Sequence, residues 1–332
     1  MSEVASGPTA PRELDPEAAD LLARLQEMGM RPYEELGGVL RARSAIEGGR
    51  WMQEEKAEIR TCDVLVAGDA GRLPARVYHP EPGAVLPLVV HLHGGGWVGG
   101  SIAAADRPCR TLALASGCVV VSVEYRLAPE NPFPVPLRDC VAATRWLAEH
   151  AAEIGADGRR IAVMGDSAGG NLAAATALVL RDEGGPAISH QVLLYPALDQ
   201  GGSYSSRVEN ATGYLLTAGS MAWFREHYFA DPADPHASPL RADHLRGLPS
   251  ATIVVAGFDP LRDEGVAYAD RLRGDGVAVE LLEWPGMVHG FFWMAGELQA
   301  ARDLAADLAV VLRRELRAAH DADQGTDAVS GS

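Results

Sequence analysis

Positive charge is scarce in this sequence. Its 29 Lys and Arg residues face 45 Asp and Glu, a formal net charge of −16 with the histidines neutral, and such a surface repels nucleic acid and anionic membranes. Both are excluded as partners, and small neutral molecules fit better. Only one of the basic residues, Lys56, is a lysine, a compositional bias that carries no catalytic information. Cysteine is sparse too: Cys62, Cys109, Cys118 and Cys140 form no C-x-x-C pair and show no metal-ligand spacing, so they read as small apolar fillers in a reducing compartment. No segment approaches the ~18 uninterrupted apolar residues of a membrane-spanning helix, and the start, MSEVASGPTAPRELDPEAAD, lacks the basic patch and apolar stretch of a secretory leader. A cytoplasmic, unanchored protein is expected. There is no internal repeat.

What the chain does have is material for a large core. With 332 residues and 47% hydrophobic content it needs no covalent staple. Residues 1–13 read as a disordered lead-in, and Asp15 followed by Pro16 opens a first helix whose Leu21, Leu22, Leu25 and Met28 recur at helical spacing before Gly29. A second helical stretch is expected from Tyr33 to about Lys56, interrupted at Gly48-Gly49. These elements, residues 14–56, precede any strand and form an accessory layer. Alternation from Ala57 to Arg76 then predicts an antiparallel strand pair. Continuous apolar runs follow, LPLVVHL from Leu86, CVVVSV from Cys118, RIAVM from Arg160, SHQVLLY from Ser189 and ATIVVA from Ala251, with VAVELLE from Val277 as the last strand. They alternate with helical stretches, the pattern of a mostly parallel sheet flanked by helices. Residues 197–247 break the rhythm. This Gly-, Ser-, Asp- and Pro-rich stretch around a helix at Ala218 to Phe229 is too long for an ordinary connection, and reads as an insertion over the C-terminal edge of the sheet. The core is thus expected from 57–196 and 248–320, closing with a helix to about Arg317 and a disordered tail, 321–332.

The chemistry centres on Gly165-Asp166-Ser167-Ala168-Gly169-Gly170, a Gly-x-Ser-x-Gly turn between a strand and an Ala/Leu-rich helix. That is the pattern of a nucleophile elbow, where a side chain at either flanking glycine collides with crowded backbone. A serine nucleophile needs a base, an acid to orient the base, and amides aimed at the oxyanion. On a doubly wound sheet these groups converge at the C-terminal ends of the strands, in the chain order Ser, acid, His. Asp259, just after the strand ending at Gly257, supplies the acid, and His289, in the Gly-bounded loop after the last strand, supplies the base. Asp263 and Glu264 are the rival acids, but they fall in the first turns of a helix, where carboxylates complement the dipole, and are left structural. Gly95 and Gly96 of His93-Gly94-Gly95-Gly96-Trp97 can bring bare amides to an oxyanion, joined by the amide of Ala168 at a helix N-terminus. His91 and His93 lie on one face of a strand as a metal pair would, but no third ligand follows at useful spacing; His93 is read as a brace for the loop. Neither a metal nor an organic cofactor is expected.

The motifs HGGGW at His93, YRLAPENPFP at Tyr125, GDSAGGN at Gly165, DPLRDEG at Asp259 and HGF at His289 together resemble the hormone-sensitive-lipase-like, bacterial family IV carboxylesterases of the α/β-hydrolase fold. They span about Val64 to Phe292, in the family's order. The resemblance implies a triad of Ser167, Asp259 and His289, an oxyanion hole from the amides of Gly95, Gly96 and Ala168, and a helical cap made of the N-terminal helices and the insertion. It also implies a serine esterase for short- to medium-chain acyl esters, a homodimer, and cis peptide bonds before Pro129 and Pro134. Amidases and peptidases use the same triad, and a related fold serves as a non-catalytic small-molecule receptor where the histidine is missing; His289 is present here.

Overall fold

The structure is a computed structural model that describes residues 12–327. Eight strands form one sheet: β1 (Arg60–Gly68), β2 (Gly71–His79), β3 (Leu86–Leu92), β4 (Val119–Val123), β5 (Ala156–Asp166), β6 (His190–Leu194), β7 (Ser250–Phe258) and β8 (Val279–Val288). Their spatial order is β1-β2-β4-β3-β5-β6-β7-β8. The first two pair antiparallel and β2 meets β4 antiparallel, while every other pairing is parallel. The nine α-helices among the described residues are α1 (Pro16–Glu27), α2 (Val39–Gly48), α3 (Ile102–Ser116), α4 (Val135–Glu149), α5 (Ala168–Asp182), α6 (Ser205–Glu209), α7 (Ala218–Tyr228), α8 (Arg262–Gly274) and α9 (Gln299–Asp327).

The period of two along each strand sorts the core into two layers. Leu88 and Val90 of β3 and Val163 of β5 pack toward α4, α5 and α8. The residues between them, Val89 of β3 and Ala162 and Met164 of β5, pack toward α1, α3 and α9. Strands covered on both faces this way read as unbroken apolar runs, which is why β3, β4 and β6 are plain in the sequence. Because β4 returns to one side of β3 and β5 to the other, the strand order reverses there, and a crevice opens at the C-terminal ends of β3 and β5.

Several boundaries differ from the sequence reading. The helix expected over Tyr33 to Lys56 is three short pieces, a 3₁₀ turn at Tyr33–Glu35, α2, and a 3₁₀ turn at Gly49–Met52; Gly37 and Gly38, both at positive φ, break it earlier than Gly48 does. Residues 321–327, expected as disordered tail, continue α9. The core-packed face carrying Leu304, Leu308 and Leu312 nucleates the helix, and without proline each further residue propagates it at little cost. Residues 1–11 of the expected lead-in and 328–332 of the tail lie outside the described residues. Cys62 is exposed rather than a core filler, since β1 is an edge strand with an open face, whereas Cys109, Cys118 and Cys140 are buried free thiols. The bonds before Pro129 and Pro134 are both cis. Among the described residues no helix is long and apolar enough to cross a membrane.

The segments before and within the sheet's insertion meet above the crevice. Glu34 accepts from the Thr217 hydroxyl at 2.8 Å and the Ser220 hydroxyl at 2.5 Å, and the Tyr33 ring lies 5.0 Å from that of Phe224 on α7. Asp15 caps α1 by accepting from Glu17 N at 2.8 Å, with Pro16 at the first helical position.

A Cβ on Gly169 at the start of α5 falls 2.0 Å from Leu92 O, whereas one on Gly274 at the end of α8 meets nothing within 4 Å. Denaturant titration of G169A is therefore expected to show a loss of at least about 3 kcal/mol, or no folded protein, and G274A a gain of about 0.5 kcal/mol. Equal stabilities for the two variants would contradict this packing.

Candidate active site

β5 ends at Asp166 and α5 begins at Ala168, leaving Ser167 alone in the turn at φ 54° and ψ −117°. A non-glycine residue held there carries strain of order 1–3 kcal/mol. The turn closes because two glycines let backbones touch: a Cβ on Gly165 falls 2.2 Å from Gly169 O. Ser167 N donates to Leu194 O at 2.8 Å and Ser167 O accepts from Ala197 N at 3.2 Å, so the residue is clamped against the end of β6.

The three side chains singled out by chain order come together. His289 Nε2 lies 2.9 Å from Ser167 Oγ, and His289 Nδ1 lies 2.7 Å from Asp259 Oδ2. Asp259 is fully buried, and its other oxygen accepts from Leu261 N at 2.8 Å. Its carboxylate therefore has a fixed direction, and the Nδ1–H···Oδ2 bond assigns the tautomer that leaves Nε2 free to accept from the serine hydroxyl. The ring of Tyr195, at φ 35° after β6, stands edge-on to His289 at 4.9 Å and walls it from below.

The Gly-rich loop leaves β3 beside the elbow, since Leu92 pairs with Gly165 in the sheet. Gly95 and Gly96 sit at φ 119° and 61°. Among the described residues, the amides of Gly95, Gly96 and Ala168 have no acceptor of their own, and all three residues line the same cavity as Ser167 and His289. His93 braces this loop: its Nδ1–H donates to Gly94 O at 2.9 Å, its ring stacks on Tyr125 at 4.3 Å, and the Tyr125 hydroxyl donates to His93 O at 2.6 Å. Burial holds both histidines neutral, lowering His93 and taking His91 down to about 3. Among the described residues no cluster of three or more His, Cys, Asp or Glu is placed to hold a metal.

Two expectations need revision. Asp263 and Glu264 are structural, but not as local dipole partners. Glu264 is fully buried, accepts from Leu198 N at 2.7 Å and pairs with Arg207 at 2.5 Å, while Asp263 accepts from Ser206 N at 2.8 Å. They pin the insertion to α8. Asp166 was given no role by the sequence, yet its buried carboxylate accepts from Gly94 N at 2.8 Å and from Trp293 Nε1 at 2.7 Å. It ties the Gly-rich loop to the 3₁₀ turn that follows His289. A carboxylate in the turn that no local donor satisfies was the available signal.

A family profile described as the α/β-hydrolase fold matches residues 89–293. The chain is 43% identical to esterase LipI of Mycobacterium tuberculosis over 77% of its own length and 82% of that protein's. The chain belongs to the hormone-sensitive-lipase-like carboxylesterases of the α/β-hydrolase fold. Like its relatives, this enzyme is a carboxylic ester hydrolase. It is also 39% identical to carboxylesterase NlhH of the same organism, over 93% of this chain and all of the other. Among solved structures, it is similar to an esterase of the archaeon Pyrobaculum calidifontis, with a TM-score of 0.86 and 40% identity over 91% of this chain and 98% of that one.

Burial pushes the Asp166 carboxyl from 3.8 up to about 6, against the donors Trp293 and Gly94. A raised native value means that the folded state prefers the protonated form. That contribution is complete below about pH 4 and is lost as pH rises through about 6. In thermal melts, the Tm of wild type minus that of D166N is accordingly expected to fall between pH 4 and pH 7. A difference that stays flat across this window contradicts the placement of the charge.

Proposed function

We propose that the enzyme hydrolyses its esters through an acyl-enzyme, with Ser167 as nucleophile, His289 as general base and then general acid, and Asp259 as the group that orients the imidazole. The observation that carries the reading is the pair of contacts through one ring, 2.9 Å to the serine and 2.7 Å to the aspartate. In the first half-reaction His289 Nε2 takes the hydroxyl proton as Oγ attacks the ester carbonyl. The oxygen that gains charge is held by the amides of Gly95, Gly96 and Ala168. His289 returns the proton to the departing alkoxide, and water, activated by the same nitrogen, then releases the acid and frees Oγ. Asp259 steadies the imidazolium in both steps without itself taking the proton.

The proposal extends to the layer above the site. Residues 14–56 and 197–247 act together as a cap, joined through Glu34, Thr217 and Ser220. They enclose a cavity of about 440 Å³, within the usual range for small-molecule sites of roughly 300–1,000 Å³. Leu25, Tyr33, Ile46, Met221 and Phe224 supply apolar wall for an acyl or alkyl group, in keeping with short- to medium-chain esters. The relatives include an ethyl acetate hydrolase of Pseudomonas putida, 39% identical over 71% of this chain and 77% of that one, which favours ester over amide substrates.

S167A is expected to fold with an unchanged circular dichroism spectrum and to lose at least about 10³-fold in kcat on p-nitrophenyl butyrate. Turnover near that of wild type would remove Ser167 as nucleophile. Along a series of p-nitrophenyl esters from acetate to palmitate, kcat/KM is expected to peak at short or medium chains, and a maximum at palmitate would contradict the cap's placement.

A further inference from the structure

The cavity above Ser167 has one apolar wall and one charged wall. The charged wall is built by Asp199, Gln200, Arg207, Arg225 and Glu264. Each of its carboxylates already has a guanidinium partner. Glu264, fully buried, pairs with Arg207 at 2.5 Å. Asp199, 6% exposed, pairs with Arg241 at 2.7 Å and accepts from the Tyr204 hydroxyl at 2.8 Å. Both negative charges are thereby spoken for.

Arg225, on α7, has no such partner. Its Nη1 donates to the backbone carbonyl of Gln200 at 2.6 Å, and among the described residues no carboxylate lies within 4.0 Å of it. Among the described residues its remaining N–H groups have no acceptor. The side chain is half-buried, and burial together with the Arg207 guanidinium lowers its basicity from the ordinary value, with Glu264 opposing. Glu226, next along α7, is exposed. An arginine without a counter-ion is commonplace on an exposed surface. Here a half-buried one lines the same cavity as Ser167 and His289, in a protein whose net charge is −16. The position is well defined, because Gly96 of the oxyanion loop abuts the neighbouring ring: a Cβ there meets Phe224 Cδ1 at 2.2 Å. Gln200 is three residues beyond Ala197, whose amide holds Ser167 O. The unpaired guanidinium and the nucleophile are thus tied into one small piece of backbone.

We propose that the preferred substrates are esters carrying a carboxylate, and that Arg225 is the counter-ion that receives it. A planar guanidinium with free N–H groups matches a carboxylate in two parallel bonds, and partial desolvation strengthens them. The same chemistry is presented by a hemiester of a dicarboxylic acid, with the anion on the acyl side, and by an ester of a hydroxy acid, with the anion on the alcohol side. This deepens the ester-hydrolase reading and rests on it.

The test compares kcat/KM within two matched pairs, monoethyl glutarate against ethyl valerate and 4-carboxyphenyl butyrate against 4-carbamoylphenyl butyrate. Wild type is expected to favour the anionic member of one pair by about tenfold, and the pair that responds identifies the side that carries the charge. In R225Q that preference is expected to collapse toward unity, and in R225K to persist in part. Equal or reversed preference in both wild-type pairs overturns the proposal, as does a preference that survives in R225Q. The wild-type ratios alone decide if R225Q does not fold. Turnover of the neutral esters, and its loss in S167A, reads the ester-hydrolase mechanism separately, so that failure of one is not mistaken for failure of the other.

Discussion

The buried carboxylate of Asp166 is the constraint on which the active-site geometry depends. The Gly-rich loop, Ser167, Asp259 and His289 follow four different strands, β3, β5, β7 and β8, and parallel pairing fixes only where those loops begin. Beyond the strand ends something must set their mutual distance. Asp166 does this by accepting at once from Gly94 N and from Trp293 Nε1, joining the Gly-rich loop to the turn just after His289, while the residue itself precedes Ser167. A buried charge costs several kcal/mol unless its acceptor positions are filled. That penalty makes the two donors obligatory and holds the loops to a single arrangement. The close approach this requires explains Gly94, where a Cβ would fall 2.2 Å from Asp166 Oδ2.

A second set of ties works on the other side of Ser167. Glu264 on α8 accepts from the amides of Leu198 and Asp199 and pairs with Arg207, and Asn210 Nδ2 donates to Asp259 O at 3.1 Å. The insertion is therefore fastened to α8 and to the loop that carries Asp259. Movement of the layer above the site and displacement of Asp259 are coupled through these bonds. Arg262 adds to the same junction, donating to Gly257 O at 3.0 Å and pairing with Glu209 at 2.9 Å.

The parts of this architecture that follow a local rule were legible in the chain. Strands buried on both faces betray themselves as apolar runs, so β3, β4, β6 and β7 were placed within a residue or two. Asp15-Pro16 marks a helix start through capping chemistry that acts over three residues. The grouping of Ser167, Asp259 and His289 was readable because a parallel sheet converts chain order into spatial order at its C-terminal edge. Features that depend on side chains distant in sequence were not. The reach of Glu264 to residues 198 and 199, the bond between Trp293 and Asp166, and the isolation of Arg225 are facts about which partners are present or missing in space. Residues 33–56 were read as a helical stretch interrupted at Gly48-Gly49, and the earlier break at Gly37-Gly38 rests on the positive φ of both glycines, which composition does not reveal. Cys62 was misread for a related reason: composition does not reveal which strand lies at an edge.

Charge acts on two length scales in this protein, and the two oppose each other. The summed charge of −16 repels anions during approach, and from composition alone a neutral substrate is the natural inference. At physiological ionic strength that field decays over about 8 Å, so it governs encounter more than the bound state. Inside the cavity the local balance decides. On the wall that carries Arg225 the two carboxylates are matched by Arg207 and Arg241, which leaves the Arg225 charge over, while Asp166 across the cavity is taken up by Gly94 N and Trp293 Nε1. Burial pushes the Glu264 carboxyl upward, and the Arg207 guanidinium and two backbone amides oppose that shift. An apolar ester gains nothing from such a wall and must leave a guanidinium partly desolvated beside it. An anionic ester relieves that cost as it binds. The same unpaired charge thus becomes the basis for discriminating between substrates of similar size.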